Sequence, residues 1–293
     1  VNETQRNDLA GIGWMVVTGL CFVFVNALVK HFGQGLPAPQ SAFIRFVFGI
    51  FFTMPVLVQI ARQGLPAGTL GPFALRGALH VLAVMLWFYA MTRISIAEVT
   101  AIGFLNPIIA TIGAALLFGE LLSWRRGIAI GVALIGALIV LRPGVRELNS
   151  GHLAQTAAAF AFGISYLIAR QLALRAPAQV VVAMMSLTVT VALAPIALAV
   201  WVPPTWAQIG GLGLVAVFAT TGHYTMTRAF ASAPMSVTQP VTFLQLIWAS
   251  LLDVALFAEP VDPMVLLGGG VMIGAITYIT WRESRKRGLP PDH

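Results

Sequence analysis

The sequence predicts an all-α integral membrane protein of ten transmembrane helices, arranged as two inverted five-helix repeats. Three observations predict it: the scarcity of charge, the length of the apolar runs and an ordered internal repeat. Hydrophobic residues make up 58% of the 293 residues, and Asp, Glu, Lys and Arg together only 9%. A soluble domain carries roughly 25% charged residues. At a mean hydropathy of +0.89, most of the surface has to face lipid. The apolar runs are too long and too unbroken for a transmembrane β-barrel, whose strands alternate apolar and polar residues over about 10 positions. Helices that satisfy their own backbone groups are then the remaining way to cross. A crossing helix needs about 20 residues, so ten of them leave no room for a soluble catalytic domain.

The spans are delimited by prolines, glycines and charges. The first covers 9–29 and closes at Lys30; it is too long for a signal-peptide core and reads as a retained helix. The second, 41–61, follows Pro37 and Pro39, and the third, 73–91, follows Pro66 and Pro72. The fourth, 97–118, ends before Glu120, and the fifth, 126–141, stops at Pro143. The sixth, 152–172, precedes Pro177; the seventh, 179–201, precedes Pro203; the eighth covers 206–230. The ninth, 235–257, ends before Glu259, and the tenth, 263–281, runs into Arg282, Arg285, Lys286 and Arg287.

A net charge of +7 raises the question of nucleic acid. No basic groove or binding motif accompanies it, and the bases fit an orienting role. With the N-terminus inside, the cytoplasmic side holds Arg6, Arg62, Arg76, Arg125, Arg126, Arg170, Arg175, Arg228 and the four bases of the tail. The other side holds Lys30, Arg45, Arg93, Arg142 and Arg146. That bias predicts a multi-pass protein of the cell inner or plasma membrane with both termini cytoplasmic. Cys21, the single cysteine, excludes an intrachain disulfide, a cysteine-based zinc site and an iron–sulfur cluster. No cofactor or metal is expected.

The chain repeats itself. Residues 104–120 read FLNPIIATIGAALLFGE and residues 243–259 read FLQLIWASLLDVALFAE, aligned without a gap. YAMTR at 89–93 matches YTMTR at 224–228, and Phe22, Asn26 and Lys30 stand against Phe162, Tyr166 and Arg170. The matches keep their order along the chain, dividing it into 1–146 and 147–293. Five spans per half is odd, so the second half enters the membrane from the opposite side. Inverted repeats are an architecture of secondary transporters, with the solute held near the midplane where the halves meet.

These features resemble the drug/metabolite transporter superfamily, in its ten-helix branch of two EamA-type repeats. The resemblance rests on the LFGE and LFAE ends of the fourth and ninth spans, the glycine-rich fifth and tenth spans, and Arg45 near the start of the second. The seventh span has no matching arginine. Within the superfamily the sequence looks most like the YddG-type exporters of aromatic and neutral amino acids. The resemblance implies an exporter working by alternating access, not an enzyme.

Candidate site residues are polar or aromatic groups within the spans. Asp253, in the ninth, is costly in lipid and therefore a functional suspect; it reads either as a proton or ammonium site or as a paired acid that locks helices. Thr242 and Leu246 share its face. Arg45 and His80 are the other charge or proton candidates, and His223 and His80 read equally as neutral hydrogen bonders at helix contacts. Trp87 shares a helical face with His80. Asn106 and Gln245 occupy equivalent repeat positions, and an amide offers both donors and an acceptor to a solute. Asn26, Phe104, Ser165, Tyr166, Gln239 and Trp248 complete the expected substrate-binding set.

Pro107, Pro195 and Pro240 are expected to kink their helices and shape the cavity. Gly127 and Gly131 in the fifth span, and Gly270 and Gly274 in the tenth, are expected to bring these helices into close contact, within one chain or across a homodimer. With bases mostly at span ends, the interior suits a neutral or zwitterionic solute, amino acids first. The alternatives are a carrier of another metabolite such as a nucleotide sugar, a drug efflux protein and, remotely, a membrane enzyme. The last lacks any acid, base or metal constellation in the sequence.

Overall fold

The computed structural model describes residues 3–106, 108–109, 124–142, 148–233, 238, 241–242, 244–258, 260 and 262–287. Among them are ten helices and no strand. They are α1 (Glu3–Phe32), α2 (Ala38–Gln63), α3 (Leu70–Met91), α4 (Ile96–Gly103), α5 (Trp124–Leu141), α6 (Ser150–Ala173), α7 (Ala178–Ala199), α8 (Trp206–Ser232), α9 (Leu244–Phe257) and α10 (Pro263–Arg287). The count agrees with the ten spans read from the sequence. By length and composition α1 from Leu9 onward, α2, α3, α6 and α7 can each cross a membrane, and α9 and the first half of α10 are shorter apolar helices.

Packing shows the repeat directly. The most extensive helix contacts are α1 with α8, α3 with α6, α2 with α7 and α5 with α10, and α4 packs on α9. Exchanging each helix for the one five places along returns the same set of pairs. That is the contact pattern of two five-helix halves related by a pseudo-two-fold axis. Local chemistry repeats as well: Pro37 and Pro177 precede α2 and α7 with nearly the same backbone angles, and Pro55 and Pro195 sit at the same place in each helix.

Both internal prolines are exposed on the outside of the bundle. Pro195 therefore stands on the outer face of α7 and does not line the cavity, which corrects the sequence reading. Pro107 and Pro240 lie outside the described residues.

The glycine expectation also needs correcting. The fifth and tenth spans do pack together, as α5 and α10, but not through the glycines chosen. Gly127, Gly131, Gly270 and Gly274 have open space where a Cβ would stand. The contact runs through Gly136 and Gly268, both buried, each lying against the other's carbonyl. Helical periodicity explains the error: a Gly-x-x-x-Gly pair marks one face, and in both helices that face points outward. Arg142 at the end of α5 pairs with Asp262 at the start of α10.

The starts of α4, α6 and α8 carry side-chain caps. Thr205 and Gln208 form a capping box at α8, with Gln208 N–H donating to Thr205 Oγ1 at 3.2 Å and Thr205 N–H donating to Gln208 Oε1 at 2.8 Å. Thr205→Ala is expected to cost about 1 kcal/mol. A thermal unfolding series on the purified protein reads this, and solute binding stays as in the parent.

Candidate functional site

Between the two halves lies a cavity of about 170 Å³. α1 contributes Met15, Thr18, Phe22 and Asn26, and α2 contributes Arg45. The second half contributes Gln155, Phe162 and Tyr166 from α6, and His223, Met226 and Phe230 from α8. Trp87 of α3, Phe104 and Asn106 after α4, Thr242, and Gln245 of α9 close the remaining sides. The pseudo-symmetry explains this composition: Phe22 and Asn26 of α1 are the repeat partners of Phe162 and Tyr166 of α6, and both pairs face inward.

The walls are aromatic. Phe162 and Tyr166 stack with centroids 5.8 Å apart, and Phe22 meets the His223 ring edge-on at 5.2 Å. Polar atoms interrupt these walls without a partner. Asn106 Oδ1, Gln155 Oε1 and His223 Nδ1 are buried and make no hydrogen bond. Native proteins leave few buried polar atoms in this state, and three of those in this protein stand around this one cavity.

Of the expected binding residues, Asn26, Trp87, Phe104, Asn106, Tyr166, His223 and Gln245 line the cavity, as does Arg45. His80 and Ser165 stand one layer behind. His80 Nδ1 is 3.4 Å from Ser165 Oγ, and its ring packs edge-on against His223 at 5.4 Å and Phe162 at 5.3 Å. Neither lines the cavity, and the His80 ring packs on residues that do. Trp248 is a correction: it sits half-buried at the edge of the inward face of α9, which is formed by Leu246, Ala249, Ser250 and Asp253, and does not reach the cavity. Gln239 lies outside the described residues.

Asp253 does not line the cavity either. Its carboxylate accepts Ile96 N–H at 3.1 Å and Ala97 N–H at 2.7 Å, and lies 3.5 Å from Lys30 Nζ. It thus closes the start of α4, where first-turn N–H groups lack helical partners and the dipole favours a negative charge. Of the two readings of Asp253 held open from the sequence, the arrangement is that of the helix-locking acid.

Beside it, Glu98 accepts Ser95 N–H at 2.9 Å in a capping box and lies 3.4 Å from His152 Nε2. Lys30, Glu98, His152 and Asp253 are all buried. Together they tie α1, α4, α6 and α9 at one end of the bundle.

Glu98 and His152 were not singled out from the sequence, although Ser95-Ile96-Ala97-Glu98 carries the capping-box signature. Lys30 and Arg76 were assigned to span ends and are in fact interior. Arg76 is 1% exposed and donates to the Val181 carbonyl at 3.3 Å and to Met185 Sδ at 3.4 Å. Gln155 was also missed; it stands at the repeat position of Met15, which lines the cavity too.

A family model for the EamA-like transporter family matches residues 9–142 and again 149–281. The chain belongs to the EamA-like transporter family. It is 23% identical to an S-adenosylmethionine uptake transporter of Rickettsia prowazekii, over 97% of both chains. It is 27% identical to a riboflavin transporter of Vibrio cholerae, over 96% of both. It is 25% identical to a pseudopaline exporter of Pseudomonas aeruginosa, over 91% of this chain and 94% of that one. A chain of known crystal structure superposes with a TM-score of 0.64 at 15% identity, covering 96% of this chain and 98% of its own, which places the fold. This EamA-family protein is therefore a membrane transporter of small metabolites by family, and no enzyme activity attaches to the relatives' names.

Proposed function

We propose that this EamA-family protein is a secondary-active carrier that moves a small metabolite by alternating access of its two halves about the central cavity. Amino acids, aromatic ones included, are the first solutes to test, exported across the cell membrane with both termini cytoplasmic. The observation that carries the reading is the cavity between the halves, with aromatic walls and three buried polar atoms awaiting partners. An amphipathic solute meets both demands: its apolar body packs on Phe22, Phe162 and Tyr166, and its polar end reaches Asn106 and Gln155.

A second reading, a carrier of another ring-bearing metabolite, is favoured by the relatives named for S-adenosylmethionine and riboflavin. Their names include both uptake and export, so direction is a separate question. The cavity is lined by one chain, which suits a monomer or a homodimer alike.

Counterflow in proteoliposomes tests the reading. Radiolabelled phenylalanine, tryptophan, methionine and threonine are compared with S-adenosylmethionine and riboflavin. Exchange of at least one amino acid is expected; failure of all four removes the amino-acid assignment and leaves the second reading. Asn106→Ala is expected to weaken binding of the transported solute about tenfold, by loss of a hydrogen bond in a dry site. Its unfolding midpoint should stay within a degree or so of the parent.

A further inference from the structure

We propose that the cavity selects solutes bearing an anionic group, a carboxylate or a phosphate, and that Arg45 is the residue that takes it. The proposal rests on the carrier reading above and names the chemistry that the same site requires. Charge accounting in the interior leads to it. Lys30 is matched by Asp253, and Glu98 faces His152. Arg45 has no such match. It is buried at 7% exposure, lines the cavity and makes no hydrogen bond or ion pair with a described residue. Among the described residues that line the cavity there is no carboxylate.

The guanidinium lies over the Phe46 ring, its carbon 3.8 Å from the centroid. Such a cation–π contact uses none of its N–H donors, which stay available. A planar fork of donors matches a carboxylate or phosphate in two parallel charge-assisted hydrogen bonds. Arg76 of α3 is also buried, bonded to a carbonyl and a thioether with its Nε unpartnered. Two buried arginines without a described counter-ion make this part of the interior electropositive.

An unpaired charge in a low-dielectric interior is costly. An entering anion relieves that cost, a neutral isostere does not, and a cation adds to it. The sequence reading of a neutral or zwitterionic solute set Arg45 apart as a charge candidate, and the anion proposal narrows that reading to solutes with a carboxylate or phosphate. A zwitterion fits if its carboxylate lies at Arg45 and its ammonium is received by neutral acceptors such as Asn106 Oδ1 and Gln155 Oε1.

The test uses the purified full-length protein in nanodiscs and calorimetric titration with matched pairs. These are L-phenylalanine against L-phenylalaninamide and phenylacetate against phenylacetamide, with phenyl phosphate as the phosphate arm. The acids are expected to bind at least about tenfold tighter than their amides. Arg45→Gln should abolish that preference. Arg45→Lys, which keeps the charge but loses the fork, should retain part of it. Arg62→Gln, at the exposed end of α2, should alter nothing. A stronger response to phenyl phosphate than to phenylacetate assigns phosphate; the reverse assigns carboxylate.

Equal binding of acid and amide by the parent protein overturns the proposal, as does a preference that survives in a folded Arg45→Gln. If amides bind and cross the membrane while acids do neither, the carrier reading stands and the anion proposal falls. If no solute of either kind binds or crosses, the anion proposal falls, and the carrier reading falls with it only if S-adenosylmethionine and riboflavin also fail in counterflow.

Discussion

Asp253→Ala is expected to lower the unfolding midpoint of the purified protein by the equivalent of about 3–5 kcal/mol, the usual cost of removing one partner of a buried ion pair. Three interactions disappear together. Ile96 and Ala97 lose the acceptors of their first-turn N–H groups, which no helical carbonyl can replace. Lys30, buried and packed with its Nζ 4.9 Å from the centre of the Phe257 ring, loses the carboxylate beside it. Asp253→Asn keeps an acceptor but not the charge and should fall between the parent and the alanine variant. A Lys30→Met, Asp253→Leu double variant removes the charges as a pair, and it should recover part of the loss because two apolar side chains carry no desolvation cost. The measurement is a double-mutant cycle by thermal unfolding. A midpoint for Asp253→Ala within about a degree of the parent would show that the contact is solvated in the working protein and that α4 is held by other means.

The parts of this arrangement legible in the sequence were those governed by periodicity and composition. Ten helices, their order and the two halves follow from hydrophobic runs and from a repeat that survives as matched pairs such as Asn26 with Tyr166. Several cavity residues, such as Asn26, Asn106 and Gln245, follow as well, because a polar side chain within a crossing helix has to face inward. Pairing between distant helices was not legible. Nothing in the ninth span says that Asp253 will meet the α4 N-terminus, since the two are joined by tertiary packing alone. The same blindness placed Lys30 and Arg76 at span ends: both lie near helix termini in sequence, and burial there depends on what the neighbouring helices bring. Glycine motifs failed for a related reason. Spacing fixes which residues share a face, but the partner helix decides which face is used.

Gly136→Leu and Gly268→Leu are each expected to push α5 away from α10 and to destabilise the protein by about 1–3 kcal/mol, the range for overpacking a close contact. A Cβ on Gly136 would stand 2.7 Å from the Gly268 carbonyl oxygen and 2.7 Å from Met272 Cγ, and one on Gly268 would stand 2.5 Å from the Gly136 carbonyl oxygen. Backbone cannot rotate out of the way as a side chain can, so the helices themselves must separate. Even alanine at position 268 should be felt. The controls are Gly131→Ala and Gly270→Ala, where a Cβ meets open space. There the substitution removes the helix penalty of glycine and is expected to be neutral or stabilising by up to about 1 kcal/mol. Thermal unfolding of the four variants decides between two uses of glycine in these helices. If Gly131→Ala and Gly270→Ala are the damaging pair, the outward faces of α5 and α10 are themselves an interface in the working protein. If Gly136→Leu and Gly268→Leu are, the glycines act within the chain, joining the last helix of each half across the pseudo-two-fold axis. That contact also links α5 and α10 to the cavity helices, because Leu246 of α9 packs against Gly269 and α10 also touches α4. The leucine variants should therefore weaken solute binding as well as stability, whereas the Thr205→Ala cap change should affect stability alone.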